Sequence, residues 1–559
     1  MSARRRHVFV DSHQLGRIWF AFYWTQIDDM SHQETPTDTA TQQLVDALRN
    51  PACYPHAVAS VRVIETHISW VLLTGLYAYK IKKPVNLGFL DFSTLKARRA
   101  FCEEEVRLNR RLAPSIYLEV APLSGTPRAP RVGDAGAPFE YAVKMREFAQ
   151  ESLLDQMLAR GTLTPALIDA LAARVASFHQ SLTPAAPISA HGTPEAIAAP
   201  ARQNLRQIEP LVADADEREL LVFLRRWTEA EFAARTASFA RRRAEGRVRE
   251  CHGDLHLGNI AWVDGEITAF DCIEFDPELR WIDVMSEIAF LVMDLADRRH
   301  PGLAWRCLNA YLEITGDYDG LAVLRFYLVY RALVRAKVIA IRMRQHGAEP
   351  SQQPQLGAQL REYLELAHGF AAARRPALII THGVTGSGKT SLTQSLLEQA
   401  GMIRVRSDVE RKRLHGMDAH ARNASGIGMG IYGRDTTART YERLAAIAAD
   451  TVQAGYPLIV DATFLARAQR DRFRALAEVL RVPFVIADVY APEPLLRERI
   501  ARRALIARDA SDADAAVLAQ QIAQREPLTA EERASTVTLD SEQCADPAAL
   551  RPLLDRLRG

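Results

Sequence analysis

The stretch Thr381-His382-Gly383-Val384-Thr385-Gly386-Ser387-Gly388-Lys389-Thr390-Ser391 decides the fold of the last third of the chain. It follows an apolar run, 377–380, that predicts a short buried strand, and it precedes a segment, 391–399, that predicts a helix. Gly383 and Gly388 bracket four residues and a Lys-Thr pair follows, which is the phosphate-loop pattern between its expected strand and helix. The sequence therefore predicts a nucleotide-binding domain from this loop to the end of the chain.

Each part of this loop is suited to holding a polyphosphate. Glycines let the backbone turn its N–H groups toward phosphate oxygens, and the helix N-terminus adds partial positive charge. We expect the lysine to reach the β- and γ-phosphates and the threonine hydroxyl to hold Mg²⁺. The predicted ATP-binding residues of the loop are Gly383, Gly386, Ser387, Gly388, Lys389, Thr390 and Ser391.

Length and composition limit the classes of protein to consider. A chain of 559 residues is expected to hold more than one domain, and 48% hydrophobic with 25% charged residues is a globular composition. A net charge of +2 favours neither a nucleic acid nor an acidic membrane as partner. The six cysteines are scattered without a CxxC pair, which argues against a metal cage or a disulfide framework. We therefore expect a cytoplasmic protein without a nucleic-acid or membrane partner.

The domain organisation follows from the motifs. Residues 1–40 are expected to be disordered or to precede the true translation start, for which Met30 is a candidate. Residues 41–370 are predicted to form one domain and residues 371–559 the phosphate-loop domain, with a short junction where they meet.

The first domain carries a second set of residues suited to phosphoryl transfer. His252-Gly253-Asp254 is followed by Asn259, and Asp271 ends the second strand of a predicted hairpin. Transfer from ATP to a hydroxyl needs a carboxylate that orients the acceptor and takes its proton, and an amide and a second carboxylate that hold Mg²⁺. Asp254 is the predicted catalytic residue, and Asn259 and Asp271 are the predicted metal ligands.

The segment 251–260 resembles the catalytic loop of the aminoglycoside phosphotransferase branch of the protein-kinase-like fold, His-Gly-Asp-x-His-x-x-Asn. Asp271 matches the metal-binding Asp of that family. The resemblance implies an α+β kinase-like domain that uses ATP and Mg²⁺, with 145–148 as the hinge that contacts adenine. We expect His256 only to orient the loop by hydrogen bonds.

The same resemblance implies a phosphate-binding lysine and a partner glutamate upstream. Lys80, at the end of a predicted strand, is the first choice of lysine. Lys82 is the alternative, because its side chain points to the same face of the strand. Glu105 is the first choice of partner on the next helix, and Glu104 is the alternative. The turn Thr74-Gly75 does not supply the glycine-rich loop of protein kinases.

After the phosphate loop, apolar strands alternate with helices, which predicts an α/β fold with a parallel sheet. The predicted strands are Ile403–Val405, Leu458–Val460, Phe484–Val489 and Val537–Leu539. Asp461 ends the third strand of this domain, where phosphate-loop proteins place a residue of the Mg²⁺ shell, and its alternative role is a helix cap.

Asp408 follows the second strand of this domain. The surrounding segment resembles small phosphate-loop kinases of the chloramphenicol phosphotransferase, gluconate kinase and polynucleotide kinase group, in which an Asp here orients the acceptor hydroxyl. Asp408 is therefore a predicted catalytic residue, with a helix cap as the alternative. Arg499, Arg502 and Arg503 lie on the helix where such kinases place lid arginines. One or two of them are expected to contact phosphate, and solvated surface charge is the alternative. The usual label for this domain is an AAA-family ATPase, but no sensor or arginine-finger pattern is found, so a kinase-like fold is preferred.

Over roughly 45–559 the arrangement resembles bacterial bifunctional proteins that pair an aminoglycoside phosphotransferase-like domain with a phosphate-loop kinase domain. The resemblance implies an enzyme with two ATP sites that transfers the γ-phosphate to a hydroxyl of a small-molecule acceptor. The alternatives are a regulatory ATP-binding protein or ATPase, with one domain a non-catalytic nucleotide sensor, and a protein kinase acting on a macromolecule. The sequence leaves the acceptor and the oligomeric state open.

Overall fold

The computed structural model describes residues 39–66, 68–86, 90–344, 351–418, 433–506, 514–542 and 547–558. Of the segment 1–40, for which disorder was predicted, all but the last two residues lie outside the described part. The chain divides into two compact units, the first made of Met1–Thr162 with Glu250–Ile282 and the second of Leu163–Arg249 with Asp283–Gly559. The second unit thus contains both the phosphate-loop region and a large helical part of the preceding region.

The described strands, in chain order, are β1 (Arg62–Glu65), β2 (Ser69–Leu73), β3 (Tyr77–Lys82), β4 (Tyr117–Thr126), β5 (Ala129–Val132), β6 (Glu140–Arg146), β7 (Val248–Glu250), β8 (Ile260–Val263), β9 (Glu266–Ala269), β10 (Trp281–Asp283), β11 (Leu378–His382), β12 (Ile403–Arg406), β13 (Leu458–Asp461), β14 (Phe484–Tyr490) and β15 (Thr536–Asp540).

The described α-helices are α1 (Thr39–Ala47), α2 (Leu95–Asn109), α3 (Leu154–Ala159), α4 (Pro165–Ser181), α5 (Pro194–Ile208), α6 (Ala215–Ala244), α7 (Pro277–Arg280), α8 (Val284–Asp297), α9 (Pro301–Thr315), α10 (Leu321–Arg344), α11 (Gln353–Ala371), α12 (Lys389–Ala400), α13 (Ser407–Leu414), α14 (Arg434–Gln453), α15 (Arg467–Leu480), α16 (Glu493–Ile506), α17 (Ala515–Gln524), α18 (Ala530–Ala534) and α19 (Pro547–Arg558). None of the described helices is both long enough and apolar enough to cross a membrane.

The first unit is built on a six-stranded antiparallel sheet in the order β1-β2-β3-β6-β4-β5. Strand β3 is central and pairs with β2 and β6, so that Lys80 lies opposite Val71 and Val143. Because side chains alternate along a strand, Tyr79 and Ile81 pack into the apolar cluster on one face of the sheet, and the lysines at 80 and 82 project from the other.

Helix α2 covers that other face. Its first turn is fixed by Thr94, whose side chain accepts a hydrogen bond from the Ala97 N–H. Its buried side chains recur at helical spacing, which presents one stripe to the sheet and includes Glu105. The fold therefore brings the α2 glutamate to the β3 lysines.

The second unit contains a five-stranded parallel sheet in the order β12-β13-β11-β14-β15. Its central strand β11 is buried along its whole length and leads directly into the phosphate loop. In the register of β12 and β13, Arg406 lies opposite Asp461. The carboxyl ends of parallel strands share one edge, where such sheets bind ligands, so the loop and both of these residues meet at that edge.

Strands β4 and β5 and helix α11 were not predicted from the sequence. Pro130 lies within β5, and proline signals a break in most strands. Strand β5 is at the edge of its sheet, where a missing N–H costs no ladder hydrogen bond, so the proline is tolerated.

Candidate active sites

Lys80 in the first unit forms ion pairs with two carboxylates. Its Nζ donates to Glu105 Oε1 at 2.8 Å and to Asp271 Oδ1 at 2.9 Å. Lys80 is 4% exposed and Glu105 is fully buried. The predicted phosphate-binding lysine, its predicted partner and one predicted metal ligand therefore meet at one place.

The second lysine of β3 also reaches this glutamate. Lys82 Nζ donates to Glu105 Oε2 at 2.7 Å, and it forms a further buried ion pair with Glu274. The alternative glutamate, Glu104, instead binds the arginines Arg107 and Arg280. This arrangement favours Lys80 and Glu105 over their alternatives. Sequence reasoning missed Glu274, since its only signal is its position three residues after Asp271.

The two carboxylates that bind Lys80 differ in their electrostatics. Burial would raise the pKa of Glu105, but the Lys80 and Lys82 ammonium groups outweigh it and hold that pKa at about 2. Burial raises the pKa of Asp271 to about 6, although Lys80 opposes the rise. Glu105 therefore stays charged at neutral pH, whereas the poorly solvated Asp271 carboxylate gains from a second cation.

The predicted catalytic loop is held by its own hydrogen bonds. His252 Nε2 donates to the Phe270 carbonyl at 2.9 Å, which ties the loop to the strand that precedes Asp271. Asn259 Nδ2 donates to the carbonyl and to Oδ2 of Asp254, at 3.0 and 3.1 Å. Gly253 has φ of +89°, and a Cβ there would lie 2.8 Å from the Leu279 carbonyl oxygen, so the position requires glycine.

His256 is a buried residue of this loop. Its Nδ1 accepts the Gly258 N–H at 3.1 Å, and its Nε2 lies 3.6 Å from Asp254 Oδ2. The hydrogen bond to Gly258 fits a residue that orients the loop, which is the role predicted for His256.

The two predicted metal ligands offer oxygen donors. The Asn259 Nδ2 bonds to Asp254 leave Oδ1 of the amide as the atom that suits a cation. Asp271 has φ of +63°, a strained conformation for a residue other than glycine, and its N–H donates to Tyr117 Oη at 3.2 Å. An amide oxygen and a carboxylate oxygen are ligands that divalent cations such as Mg²⁺ accept, so these residues fit such an ion.

The turn between β2 and β3 is tied to the predicted hinge. The Gly75 N–H donates to Glu147 Oε2 at 2.8 Å, and the Glu147 N–H donates to the Leu76 carbonyl at 3.1 Å. Phe148 packs edge to face on Phe270, with ring centroids 5.3 Å apart. The hinge therefore contacts both the turn between β2 and β3 and Phe270, the residue before Asp271.

In the second unit, the phosphate loop has the backbone that its glycines predict. Gly383, Gly386 and Gly388 have φ of +144°, +79° and +93°. A Cβ at Gly383 would lie 2.6 Å from the Val489 carbonyl oxygen, so no other residue fits there. Lys389 Nζ donates to the carbonyls of Gly383 and Val384, at 3.0 and 2.8 Å, which holds the ammonium group against the loop.

The predicted metal ligands of this loop are neighbours. Thr390 Oγ1 donates to Asp461 Oδ2 at 3.2 Å, and Thr393 Oγ1 donates to the same oxygen at 3.3 Å. Asp461 is only 6% exposed. A hydroxyl beside a strand-end carboxylate is the donor set that phosphate-loop proteins use for their metal, so these residues fit a divalent cation.

Two further side chains contact the loop from the helices that follow β14. Arg499 Nη1 donates to the Gly386 carbonyl at 3.3 Å and to Ser541 Oγ at 3.0 Å. Gln521 Oε1 accepts the Thr385 N–H at 2.7 Å. Arg499 is thus the predicted lid arginine that reaches the loop, and the side chain of Arg503 lies outside the described residues. Sequence reasoning missed Gln521, because no motif around this residue indicates that its amide contacts a loop 136 residues away.

Asp408 is the second residue of α13. Its carboxylate accepts a hydrogen bond from Arg411 Nη1 at 3.2 Å. The N-cap of the helix is Arg406, and no side chain caps it there. Among the described residues, no contact of Asp408 supports its alternative role as a helix cap. Two predicted loop residues remain. Ser387 is buried, with its Oγ 3.5 Å from Lys389 Nζ, and Ser391 is exposed in the first turn of α12.

Two known families match this chain. The phosphotransferase enzyme family matches residues 95–327, which include Glu105, Asp254, Asn259 and Asp271. The AAA domain family matches residues 378–528, which begin at β11 and include the phosphate loop. The matches confirm the predicted pairing of an aminoglycoside phosphotransferase-like domain with a phosphate-loop domain, and the predicted fold class. Domains of these kinase-like types imply ATP with a divalent metal.

Similar proteins are known from mycobacteria. Uncharacterized proteins of Mycobacterium tuberculosis (strain H37Rv) and Mycobacterium bovis are each 30% identical over 470 residues, covering 84% of this chain and 92% of each relative. Among solved structures, a choline/ethanolamine kinase family protein from Mesorhizobium loti is 11% identical, covering 58% of this chain and 99% of that one, with a TM-score of 0.36. A sugar kinase from Janibacter sp. HTCC2649 is 23% identical, covering 32% and 94%, with a TM-score of 0.25.

Proposed function

This chain belongs to the same family as the mycobacterial proteins and joins a phosphotransferase enzyme family domain to an AAA-type phosphate-loop domain, and on that premise we propose that it is an ATP-dependent phosphotransferase with two ATP sites. It transfers the γ-phosphate to a hydroxyl of a small-molecule acceptor. The observation that carries the proposal is the contact of buried Lys80 with both Glu105 and Asp271, together with the tie that His252 makes between the loop of Asp254 and Phe270, next to Asp271.

At the first site, Lys80 binds the α- and β-phosphates while Glu105 holds its ammonium group in position. Asp254 orients the acceptor hydroxyl and takes its proton as the oxygen attacks the γ-phosphorus. The bond between the γ-phosphorus and the bridging oxygen breaks, and ADP leaves. Asn259 and Asp271 would hold Mg²⁺, which neutralises charge on the phosphates.

At the second site, backbone N–H groups of the phosphate loop and Lys389 bind the β- and γ-phosphates. Thr390 and Asp461 would hold a second Mg²⁺, since oxygen donors of this kind suit a hard cation. Asp408 orients the acceptor and takes its proton. We place the protein in the cytoplasm, where ATP is abundant and cysteine thiols stay reduced.

A metabolite screen with γ-labelled ATP tests the function directly. The full chain should transfer label to at least one small hydroxyl compound, and Asp254→Asn and Asp408→Asn variants should identify the domain responsible. Label that appears only in inorganic phosphate, or in macromolecules of a cell lysate, would argue against a small-molecule phosphotransferase. ATP binding without any labelled product would favour the regulatory sensor instead.

Replacing Asp271 by Asn should weaken binding of Mg-ATP at the first site. The change removes the negative charge that binds Lys80 and that would bind the metal. Residues that only support a metal ligand typically contribute about 10–100-fold to affinity, so a direct ligand should contribute at least as much. Calorimetry with Mg-ATP on a Lys389→Ala background, which isolates the first site, measures the effect.

Asp134→Asn is the control for this prediction. Asp134 is exposed, and its 3.6 Å surface ion pair with Arg131 contributes little. Equal losses in Asp271→Asn and Asp134→Asn would remove Asp271 from the metal site.

Replacing Asp408 by Asn should leave ATP affinity at the second site unchanged and lower acceptor phosphorylation by about 10²–10⁴-fold, the usual contribution of a general base. Slow transfer to water should persist, because the phosphate loop is intact. The measurement is labelled product at saturating ATP, with ADP release followed in parallel. Near-normal acceptor turnover would show that Asp408 has no catalytic role.

A further inference from the structure

In the second unit, helix α9 packs against β12, the edge strand of the parallel sheet. Asn309 Nδ2 donates to the Met402 carbonyl at 2.9 Å, and Asn309 Oδ1 accepts the Arg404 N–H at 2.7 Å. Edge strands present such backbone groups without a neighbouring strand. Here the side chain of a helix takes the place of that strand, which fixes α9 to the phosphate-loop sheet.

One turn further along α9, Glu313 binds two arginines of the same strand. Its Oε2 lies 3.2 Å from Arg404 Nη2, and its Oε1 lies 3.0 Å from Arg406 Nη1. All three side chains are buried. Buried charges are stable only when paired, and this carboxylate is a counter-charge for both guanidinium groups.

Arg406 also lies beside Asp461, the predicted metal ligand of the second site, and Arg404 is linked to the same carboxylate through Thr393. Arg406 Nε lies 4.0 Å from Asp461 Oδ2. Arg404 Nη1 donates to Thr393 Oγ1 at 3.5 Å, and that hydroxyl donates to the same Asp461 oxygen. A guanidinium at this range competes with a metal ion for a carboxylate, since the attraction between charges rises steeply in a buried setting.

We propose that Glu313 is a positioning residue for the second ATP site: it holds Arg406 so that the Asp461 carboxylate stays available to the metal. This inference rests on the proposed binding of metal and ATP by the phosphate-loop domain. Glu313 lies within the stretch that matches the phosphotransferase family, whereas Asp461 lies within the AAA match. The nucleotide site of one domain is therefore completed by a residue of the other.

The test is the Mg²⁺ dependence of nucleotide binding by the full chain. A fluorescent ATP analogue is titrated with Mg²⁺ in a Lys80→Met background, which removes the phosphate-binding ammonium group of the first site. In Glu313→Gln, the Mg²⁺ concentration for half-maximal binding should rise about 10–100-fold, the usual effect of losing a residue that supports a metal ligand.

Glu398→Gln is the matched control. Glu398 on α12 pairs with Arg306 of α9 at 2.7 Å, so it also joins α9 to the phosphate-loop domain. Its change should leave the Mg²⁺ requirement within twofold of the background. An equal rise in both variants would mean that any damage to this contact has the effect, and it would overturn the specific role of Glu313.

A second change separates positioning from general structure. Adding Arg406→Gln to Glu313→Gln removes the competing guanidinium, so the Mg²⁺ concentration for half-maximal binding should fall most of the way back to the background value. If it does not fall, the proposed competition between Arg406 and the metal is wrong. Should Glu313→Gln fail to fold, Arg406→Gln alone tests the same point, and a raised Mg²⁺ requirement there would overturn the inference. Absence of Mg²⁺-dependent binding in the Lys80→Met background itself would overturn the second ATP site and the inference with it.

Discussion

Asp254→Asn should lower phosphoryl transfer by the first domain by about 10²–10⁴-fold while ATP affinity stays nearly unchanged. Asparagine preserves the size of the side chain but cannot accept the proton of the acceptor hydroxyl. The Asn259 amide can still donate to the backbone carbonyl of residue 254, so the loop should keep its shape. Transfer of labelled phosphate to the acceptor found in the screen measures the first quantity, and calorimetry with Mg-ATP measures the second.

Asp134→Asn is the control for this result. Asp134 follows the edge strand β5 and is exposed. It forms a 3.6 Å ion pair with Arg131, and its replacement should leave phosphoryl transfer unchanged. If Asp254→Asn lost transfer and ATP affinity together, the residue would serve nucleotide binding and not the acceptor. If it lost neither, the catalytic role would be wrong.

Lys389→Ala should reduce ATP affinity at the second site by about 10²-fold or more. Each hydrogen bond from a charged group is worth about 1.5–3 kcal/mol, and every 1.4 kcal/mol is tenfold, so losing contacts to two phosphates has a large effect. The ammonium group donates to the loop carbonyls of Gly383 and Val384, so it already lies at the loop that we propose binds the phosphates. Any turnover by this domain should slow as well, because charge on the γ-phosphate shifts during transfer.

Binding of the fluorescent ATP analogue in the Lys80→Met background measures this loss. Lys389→Arg is the informative companion variant, since arginine keeps the charge but presents a planar fork in place of a compact ammonium. We expect arginine to recover part of the affinity and little of the turnover. Unchanged affinity in Lys389→Ala would mean that the loop does not bind the phosphates.

The parts of the molecule that the sequence predicts well are those whose chemistry is contiguous. The phosphate loop lies between one strand and one helix, so its glycines, Lys389 and Thr390 can be read from a single stretch. The contact of Thr390 with Asp461 could also be expected, because parallel strands end at a common edge. The loop from His252 to Asn259 is local in the same sense.

The residues that sequence reasoning missed come from distant elements. Glu274 reaches Lys82 only because the chain brings the segment after Asp271 beneath β3. Gln521 caps a loop amide 136 residues earlier in the chain. Glu313 contacts β12 because α9 packs on that strand, and on a helix a glutamate reads as a solvated charge. Such partners depend on packing between elements, which hydrophobic periodicity does not specify.

The number of ATP molecules bound per chain tests the central claim most directly. Calorimetry with a non-hydrolysable ATP analogue and Mg²⁺ should give two sites for the full chain, one for Lys80→Met, one for Lys389→Ala and none for the double variant. The site that remains in Lys80→Met should differ in ATP affinity from the site that remains in Lys389→Ala, because their contacts with the phosphates differ. A single site in the unaltered chain, or loss of the same site in both single variants, would contradict an enzyme with two ATP-binding domains.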